Sequence, residues 1–411
     1  MWSRLLAVTF ISLRFGIPLP AQSPPPGRDV DDLSPPPLRF GPVTVGGSAG
    51  FRAERINGSE GWLLRPALRI FASAPLGESA EFRSRILTTH RRRAGTNVRP
   101  ESSFEVQEAH LRWWLDEKRN FRVRIGRQRF RDTREWYFDE FLDALQLRYQ
   151  TKLLRVEFAL AKGISGGASR REQLQMIGDS QVRLPSRRYL TARLLRRADG
   201  GRKEELTWLG VGSRGRVRGG LRYWLELARL QGSDRGVPVR GWGSDLGITY
   251  RFRAPLRPTV TVLYAVGSGD RDPADGIDRN FRQTRLHGNS DRYDSLRRRP
   301  YYGRILAPEL SNLRVMSLDF GFRAGSRWSF SMSAHDYRQV HPSPDAGRTR
   351  LDVVPSGTGA ALGREWNLSF VWRRAPRLDL ILEAGTLRPG RALPQLPEWV
   401  HAFRPELRYY F

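Results

Sequence analysis

From about residue 43 the chain alternates apolar and polar residues in stretches of strand length. "NFRVRIG" sets Phe121, Val123 and Ile125 against Arg122 and Arg124, and "RVEFALA" sets Val156, Phe158 and Leu160 against Arg155 and Glu157. "SRWSFSMSAHDY" alternates Trp328, Phe330 and Met332 with Ser329, Ser331, Ser333 and His335. "REWNLSFVWRR" alternates Trp366, Leu368, Phe370 and Trp372 with Glu365, Asn367 and Ser369. A period of two puts each apolar set on one face of a strand and each polar set on the other. The texture never becomes helical, so the chain reads as all-β.

A soluble sandwich would turn the apolar faces into a core and the polar faces to water. A membrane barrel would turn the apolar faces to lipid and the polar faces to a lumen. Three features favour the barrel. Segments of about 10 to 13 residues suit tilted membrane strands. Aromatic residues gather toward segment ends, as interfacial girdles require. Connections fall into two classes, very short ("APLRP", "RAPR", "QTK") and long and polar (268–310 and 340–362).

Seventeen segments qualify: 43–56, 61–73, 80–90, 103–115, 120–130, 141–150, 153–161, 187–197, 205–214, 219–231, 241–253, 257–267, 311–323, 326–338, 363–374, 376–387 and 399–411. An up-and-down antiparallel barrel with both ends on one side needs an even number. Traced forward, 91–102 and 162–171 lie outside; traced back, so do 340–362, 268–310 and 232–240. The traces conflict between about 162 and 204. A strand at "EQLQMIG" (172–178) resolves the conflict and predicts eighteen strands, with sixteen as the alternative. The last segment sets Phe403, Leu407, Tyr409 and Phe411 on one face, so it is expected to close the barrel against the first.

Compartment follows from the other end. Arg4, the apolar run 5–13 and Leu19-Pro20-Ala21 predict an export signal over 1–21 that is cleaved after Ala21, although Arg14 interrupts its apolar side. Residues 22–42, with two triple-proline runs, read as an extended periplasmic leader, and 43–411 as the barrel. The formal charge is +28, and of 70 basic residues only Lys118, Lys152, Lys162 and Lys203 are lysine. Such a balance would suit a nucleic-acid binder, but an export signal argues against one. The chain has no Cys, and its six His residues lack metal spacing, so no metal or cofactor is expected.

The stretch "RIGRQRFRDTREWYFDEFLDALQLRYQ" (124–150) resembles the alginate export family of outer-membrane β-barrels, with its "GRQ" strand end, Trp-containing loop and "DE-x-LDA". "GWGSDLGITYRF" (241–252), "YAVGSGDRDPADGIDRNF" (264–281) and "LGREWNLSFVWRRAPRLDLILEAGTLRPG" (362–390) are similar to later family segments, in the same order. Asn367 and Leu387 depart from that pattern, where an acidic residue and Phe are common. The resemblance implies a Gram-negative outer-membrane location, assembly machinery that recognises the strand ending at Phe411, and passive passage of an anionic, alginate-like polysaccharide. Periplasmic secretion partners are a further expectation.

The chemistry suits that expectation. Guanidinium groups grip carboxylates with two parallel hydrogen bonds. Parity points Arg122 and Arg124 into the lumen; Arg127, Arg129 and Arg134 are expected at the rim or in an infolded loop, paired with Asp139 and Asp143. With Glu140 these residues form the expected substrate-binding constriction. The competing readings are a general or small-anion porin and, from another class, a barrel hydrolase using Ser329, Ser331 or Ser333 with His335. No third member of a triad stands near them in sequence. The paired carboxylates of "DE…D" sit among arginines and read as salt-bridge partners rather than as catalytic acids. No catalytic residue is expected.

Overall fold

The computed structural model describes residues 37–411 apart from 58–60, 97, 164–172, 294, 346 and 375–376. The expected signal (1–21) and most of the expected leader (22–42) lie outside the described residues. Of the leader, Leu38–Phe40 folds back on Val43–Val45 as a short antiparallel strand.

Eighteen strands run up and down in chain order: Val43–Ile56, Trp62–Leu76, Ala80–Ala94, Glu101–Trp114, Phe121–Arg131, Asp139–Gln150, Leu154–Lys162, Gln173–Leu184, Arg188–Asp199, Glu204–Arg216, Leu221–Asp234, Val237–Arg251, Thr259–Gly267, Leu313–Ala324, Trp328–Gln339, Ala361–Arg374, Leu378–Pro389 and Val400–Tyr410. Each pairs antiparallel with the next, and the last pairs with the first. The additional strand that parity demands is present. Gln173–Leu184 pairs with Leu154–Lys162 on one side and Arg188–Asp199 on the other. All the long connections, 268–312 and 340–360 among them, leave one end of the barrel, and the first and last strands meet at the other, short-turn end.

The apolar faces point outward. Phe121, Ile125, Leu145, Leu147, Trp372 and Tyr409 are all more than a third exposed on the outer surface. Fully apolar outer walls would collapse in water, but in lipid they are solvated. The seam closes at Phe411, whose N–H donates to the Gly47 carbonyl (3.1 Å) and whose carbonyl accepts from the Gly47 N–H (2.9 Å). A Cβ at Gly47 would stand 2.6 Å from the Phe411 ring and would collide with the Arg69 carbonyl. A side chain there cannot be accommodated.

The core sits inside the barrel, and here one expectation needs correction. The segment 268–310 was expected to be a long polar outer loop. Its stretch 271–276 is exposed; from Asn280 onward it folds down into the lumen, and apart from Gly288 its described residues there are buried or half-buried. Phe281, Leu286, Tyr301, Tyr302, Ile305, Leu306 and Leu310 are buried, and they pack with lumen residues including Leu206, Trp208, Leu230, Leu263, Val315 and Tyr337. Leu296 reaches Val371 and Ile381 near the short-turn end. Burying one such side chain contributes about 1.5–3 kcal/mol, so this plug is a true hydrophobic core. Its arginines mask the apolar content in the sequence.

Two outcomes are expected. Trypsin acting on the folded barrel should cut this segment at the exposed Arg271 and spare 292–304; mass mapping of the fragments checks this, and prompt cutting within 292–304 would mean the plug stands outside. Deleting Phe411 removes both hydrogen bonds to Gly47, each about 0.5–1.5 kcal/mol. The heat-modifiable, folded fraction on cold gels should fall for that deletion and for Gly47→Val; a normal folded fraction in both would make the seam contact dispensable.

Candidate functional site

The plug fills the lumen unevenly. Lumen residues from Arg188–Asp199 round to Ala361–Arg374 are mostly buried against it, with Leu206, Leu263, Tyr337 and Glu365 essentially inaccessible. On the strands between Trp62 and Gln150 His110, Gln128 and Gln146 are buried, but the lumen arginines stay partly accessible, among them Arg65, Arg69, Arg83, Arg112, Arg122, Arg124 and Arg148. One wall is dry and the other is wet.

The wet wall is basic by register. Arg112 stands directly across from Arg124, and Arg122 directly across from Arg148. Like charges directly opposite in a sheet are destabilising, where a favourable pair would contribute about 0.2–1 kcal/mol. Partial compensation comes from the neighbours. Arg112 pairs with Glu81 (3.0 Å), Arg85 with Glu108 (3.5 Å), and Arg148 with Glu157, while Arg124 donates to the Gln146 side-chain oxygen (2.7 Å). Arg122 makes no side-chain hydrogen bond or ion pair among the described residues, and its Nε is buried. All four lie in the half of the barrel nearest the short turns.

The dry wall is acidic, and the plug neutralises it. Arg297 donates to Glu406 (3.2 Å), Arg299 to Asp319 (2.6 Å) and Arg304 to Glu383 (2.6 Å). Glu365 accepts the backbone N–H groups of Ile305 (2.8 Å) and Leu306 (2.9 Å). Asp245 is the hub. It accepts from Arg134 (2.9 Å), from the Tyr302 hydroxyl (2.6 Å) and from the Trp224 indole N–H, and Tyr302 in turn accepts from the Trp136 indole (3.0 Å). Arg134 also donates to Asp291 and the Tyr293 hydroxyl (3.1 Å each), and its guanidinium lies 4.0 Å from the Trp224 ring centre. Burial alone would disfavour the charged guanidinium; the Asp245 carboxylate outweighs it and holds Arg134 firmly protonated. A second infolded loop, 132–138, delivers this arginine. Asp132 shapes that loop by accepting the N–H groups of Arg134, Trp136, Tyr137 and Phe138.

The eight residues expected at one constriction therefore divide. Arg122 and Arg124 face the lumen, as parity requires. Arg129 pairs with Asp139 (2.8 Å) and Arg127 with Asp143 (3.3 Å), as expected, but on another part of the wall. Both arginines share the parity of the lipid-facing Ile125. The ladder between Glu101–Trp114 and Phe121–Arg131 stops at Ala109 opposite Arg127, and the Arg127 guanidinium fills the gap beyond, 3.8 Å from Glu105. Arg134 pairs with neither Asp139 nor Asp143; it belongs to the plug network. Glu140 has the inward parity of Phe130 and accepts the Phe141 N–H (3.0 Å). A single sequence cluster thus serves the wall, the rim and the plug. Sequence reasoning missed Arg112 and Arg148, which share inward parity with Arg124 and Gln146, and it missed Asp245, Trp136 and Tyr302. The Tyr301-Tyr302 doublet, unusual in a loop otherwise full of arginine, was the available signal.

His335 is also accounted for. Its Nδ1 lies 2.7 Å from the Ser317 hydroxyl and its Nε2 2.9 Å from that of Ser333, and its ring stacks on Tyr337. It is buried, and among the described residues its two ring nitrogens face hydroxyls rather than a carboxylate. Ser329 accepts the Leu296 N–H (3.1 Å) and so anchors the plug tip.

The comparisons agree with this architecture. Residues 173–400 match the family model for alginate export. The chain is 24% identical over 292 residues to the alginate production protein AlgE of Pseudomonas aeruginosa, covering 60% of this chain and 59% of that protein. It is 21% identical over 279 residues to the protein of that name from Pseudomonas syringae pv. tomato, covering 56% and 54%. These alignments span less than two thirds of the relatives' length. Among solved structures, the outer-membrane protein OprD of P. aeruginosa superposes with a TM-score of 0.59 at 10% identity, covering 90% of this chain and 94% of that one. OccK3 (OpdO) of the same organism gives 0.59 at 13% identity, covering 90% and 95%.

Removing the hub carboxylate should release the plug. Asp245→Leu leaves the Arg134 guanidinium buried without its main partner, a loss of about 3–5 kcal/mol. The expected result is a folded barrel with higher single-channel conductance in a planar bilayer. An unchanged conductance in a normally folded variant would show that the plug is held by its apolar contacts alone.

Proposed function

The chain belongs to the alginate export family of outer-membrane β-barrels, and we propose that it is a passive conduit for an anionic, uronate-type polysaccharide, with its short turns in the periplasm and its long loops outside. The observation that carries this reading is the pair of opposed arginines on the wet wall, Arg112 across from Arg124 and Arg122 across from Arg148. Opposed guanidinium groups are unfavourable in a sheet, and here their protein partners offset the repulsion only in part, leaving Arg122 without one among the described residues. A polyanion passing along the wall supplies the missing charge. Arginine suits a carboxylated sugar because its planar fork meets a carboxylate with two hydrogen bonds. Release requires that each site be weak, and Glu81, Glu108 and Glu157 supply competing partners that keep the grip transient.

Family membership supports a channel rather than an enzyme. His335 and its serines lie behind the plug, which further weakens the hydrolase alternative. On the same reading the strand ending at Phe411 is the segment that the barrel-assembly machinery recognises.

The test is ion selectivity with and without an oligouronate. Wild-type pores should prefer anions strongly at low salt. The preference should fade as the screening length shrinks from about 30 Å at 0.01 M to about 3 Å at 1 M. Arg122→Gln with Arg124→Gln should lower both the anion preference and the oligouronate block, because lumen substitutions tune selectivity more than stability. Arg122→Lys with Arg124→Lys should spare chloride selectivity and weaken the block. Arg129→Gln, whose partner is Asp139 at the rim, should behave as wild type. Cation-selective wild-type pores, or a Gln pair indistinguishable from wild type in both measurements, would overturn the reading.

A further inference from the structure

At the short-turn end, two turns and three strand ends enclose a cavity of about 610 Å³. Lys118 and Arg119 come from the turn before Phe121–Arg131, and Lys152 from the turn before Leu154–Lys162. Arg155, Arg183 and Tyr189 come from three successive strands. The last three have lumen parity: their neighbours Val156, Val182 and Leu190 are exposed on the outer surface. The cavity is therefore part of the pore mouth and does not face lipid.

Its charge is unlike that of the rest of the barrel. Among the described residues no Asp or Glu lines it. Arg155 is held by Asp179 (2.7 Å) and Glu157 (3.3 Å), and Arg119 donates to the Glu78 carbonyl (3.2 Å) and lies over the Trp114 ring. Lys118, Lys152 and Arg183 make no side-chain hydrogen bond or ion pair among the described residues, and all three are exposed. The turn holds two acids: Asp116 is occupied by the backbone N–H groups of Asn120 (3.1 Å) and Phe121 (2.7 Å), and the exposed Glu117 precedes Lys118 in the chain but does not line the cavity. Two of the chain's four lysines meet here.

We propose that this cavity is an entry site that takes the leading end of a uronate oligosaccharide before it passes to the arginines of the wall. The inference rests on the conduit reading and adds a place and a residue set to it. Three physical points support it. A cavity of this size accepts a ligand of roughly two or three sugar rings. Five cations line the cavity, of which Arg155 alone is ion-paired among the described residues. The remaining positive charge attracts a chain that carries one carboxylate per ring, and a concave mouth with low-dielectric walls focuses that field. The choice of lysine matters too. An ammonium is a hydrated point charge without arginine's bidentate fork, so it captures a carboxylate loosely and lets it advance.

The lysines make the site directly testable. A water-soluble carbodiimide activates a sugar carboxylate, a lysine amine displaces it to form an amide, and the carbodiimide leaves as its urea, having taken up the elements of water. Lys162 and Lys203 are also exposed but lie at the long-loop end, so they are internal controls. The experiment couples a defined oligouronate to the full folded barrel at low salt and counts amides on the four lysines by peptide mass mapping. The expected result is at least about fivefold more amide on Lys118 and Lys152 than on Lys162 and Lys203, with the excess lost at 1 M salt. Uniform coupling, or none at Lys118 and Lys152, overturns the site. Equal preference for polyglutamate at the same carboxylate concentration also overturns it, in favour of a docking site for an acidic polypeptide. The two readings fail separately. If only the conduit fails, oligouronate leaves the current unblocked while coupling still favours Lys118 and Lys152; if only the entry site fails, block persists and coupling is uniform.

Discussion

Lipid offers no partner to a backbone N–H or C=O, and every other feature of this molecule is downstream of that constraint. Strands can cross a membrane only if the last returns to the first. Here the return is made by Val400–Tyr410 against Val43–Ile56, finished by the reciprocal hydrogen bonds of Gly47 and Phe411. Closure of eighteen strands then creates an interior too wide for wall side chains to fill. That interior must hold water, protein or both. This barrel holds both, on opposite walls.

The division follows charge. Wall strands after Leu221 present Asp245, Asp319, Glu365, Glu383 and Glu406 to the lumen, and infolded segments rich in arginine settle on them. The pairs of Arg134, Arg299 and Arg304 are buried, so their desolvation is costly and their individual contribution to stability is modest. Removing either partner would leave a bare charge in a dry site. The network thus acts mainly to specify where the plug sits, while Tyr301, Tyr302, Ile305 and Leu306 supply the apolar burial. On the other wall, among the described residues, no infolded segment covers Arg112, Arg122, Arg124 and Arg148.

The alternation that opens the sequence translates into the structure with little loss. Parity alone assigns Phe121 and Ile125 to lipid and Arg122 and Arg124 to the lumen, and it demands a strand near residue 175 where composition gives only a weak sign. The candidate site was less legible. Arg122, Arg124, Arg127, Arg129 and Arg134 are neighbours in the chain, and nearness suggested a common place. Gly126, with a φ of +114°, and the end of the ladder at Arg127 break the regular strand between them, and Arg134 belongs to a loop that turns inward. Charge type is local information, whereas destination is not.

By itself the sequence determined the class of fold, the even strand number, which face of each strand meets lipid, and the seam at Phe411. The faces follow from a two-residue period, which is local in the chain, and closure follows from the need of every edge backbone group for a partner in lipid, which holds whatever the tertiary detail. Only the tertiary structure decided that 268–312 enters the lumen, that Asp245 gathers Arg134, Trp224 and Tyr302, and that Arg112 meets Arg124 while Arg122 meets Arg148. Those contacts depend on the barrel's diameter and on register between strands. Residues as far apart as Arg134 and Asp245 meet because closure brings their walls within reach across a shared interior.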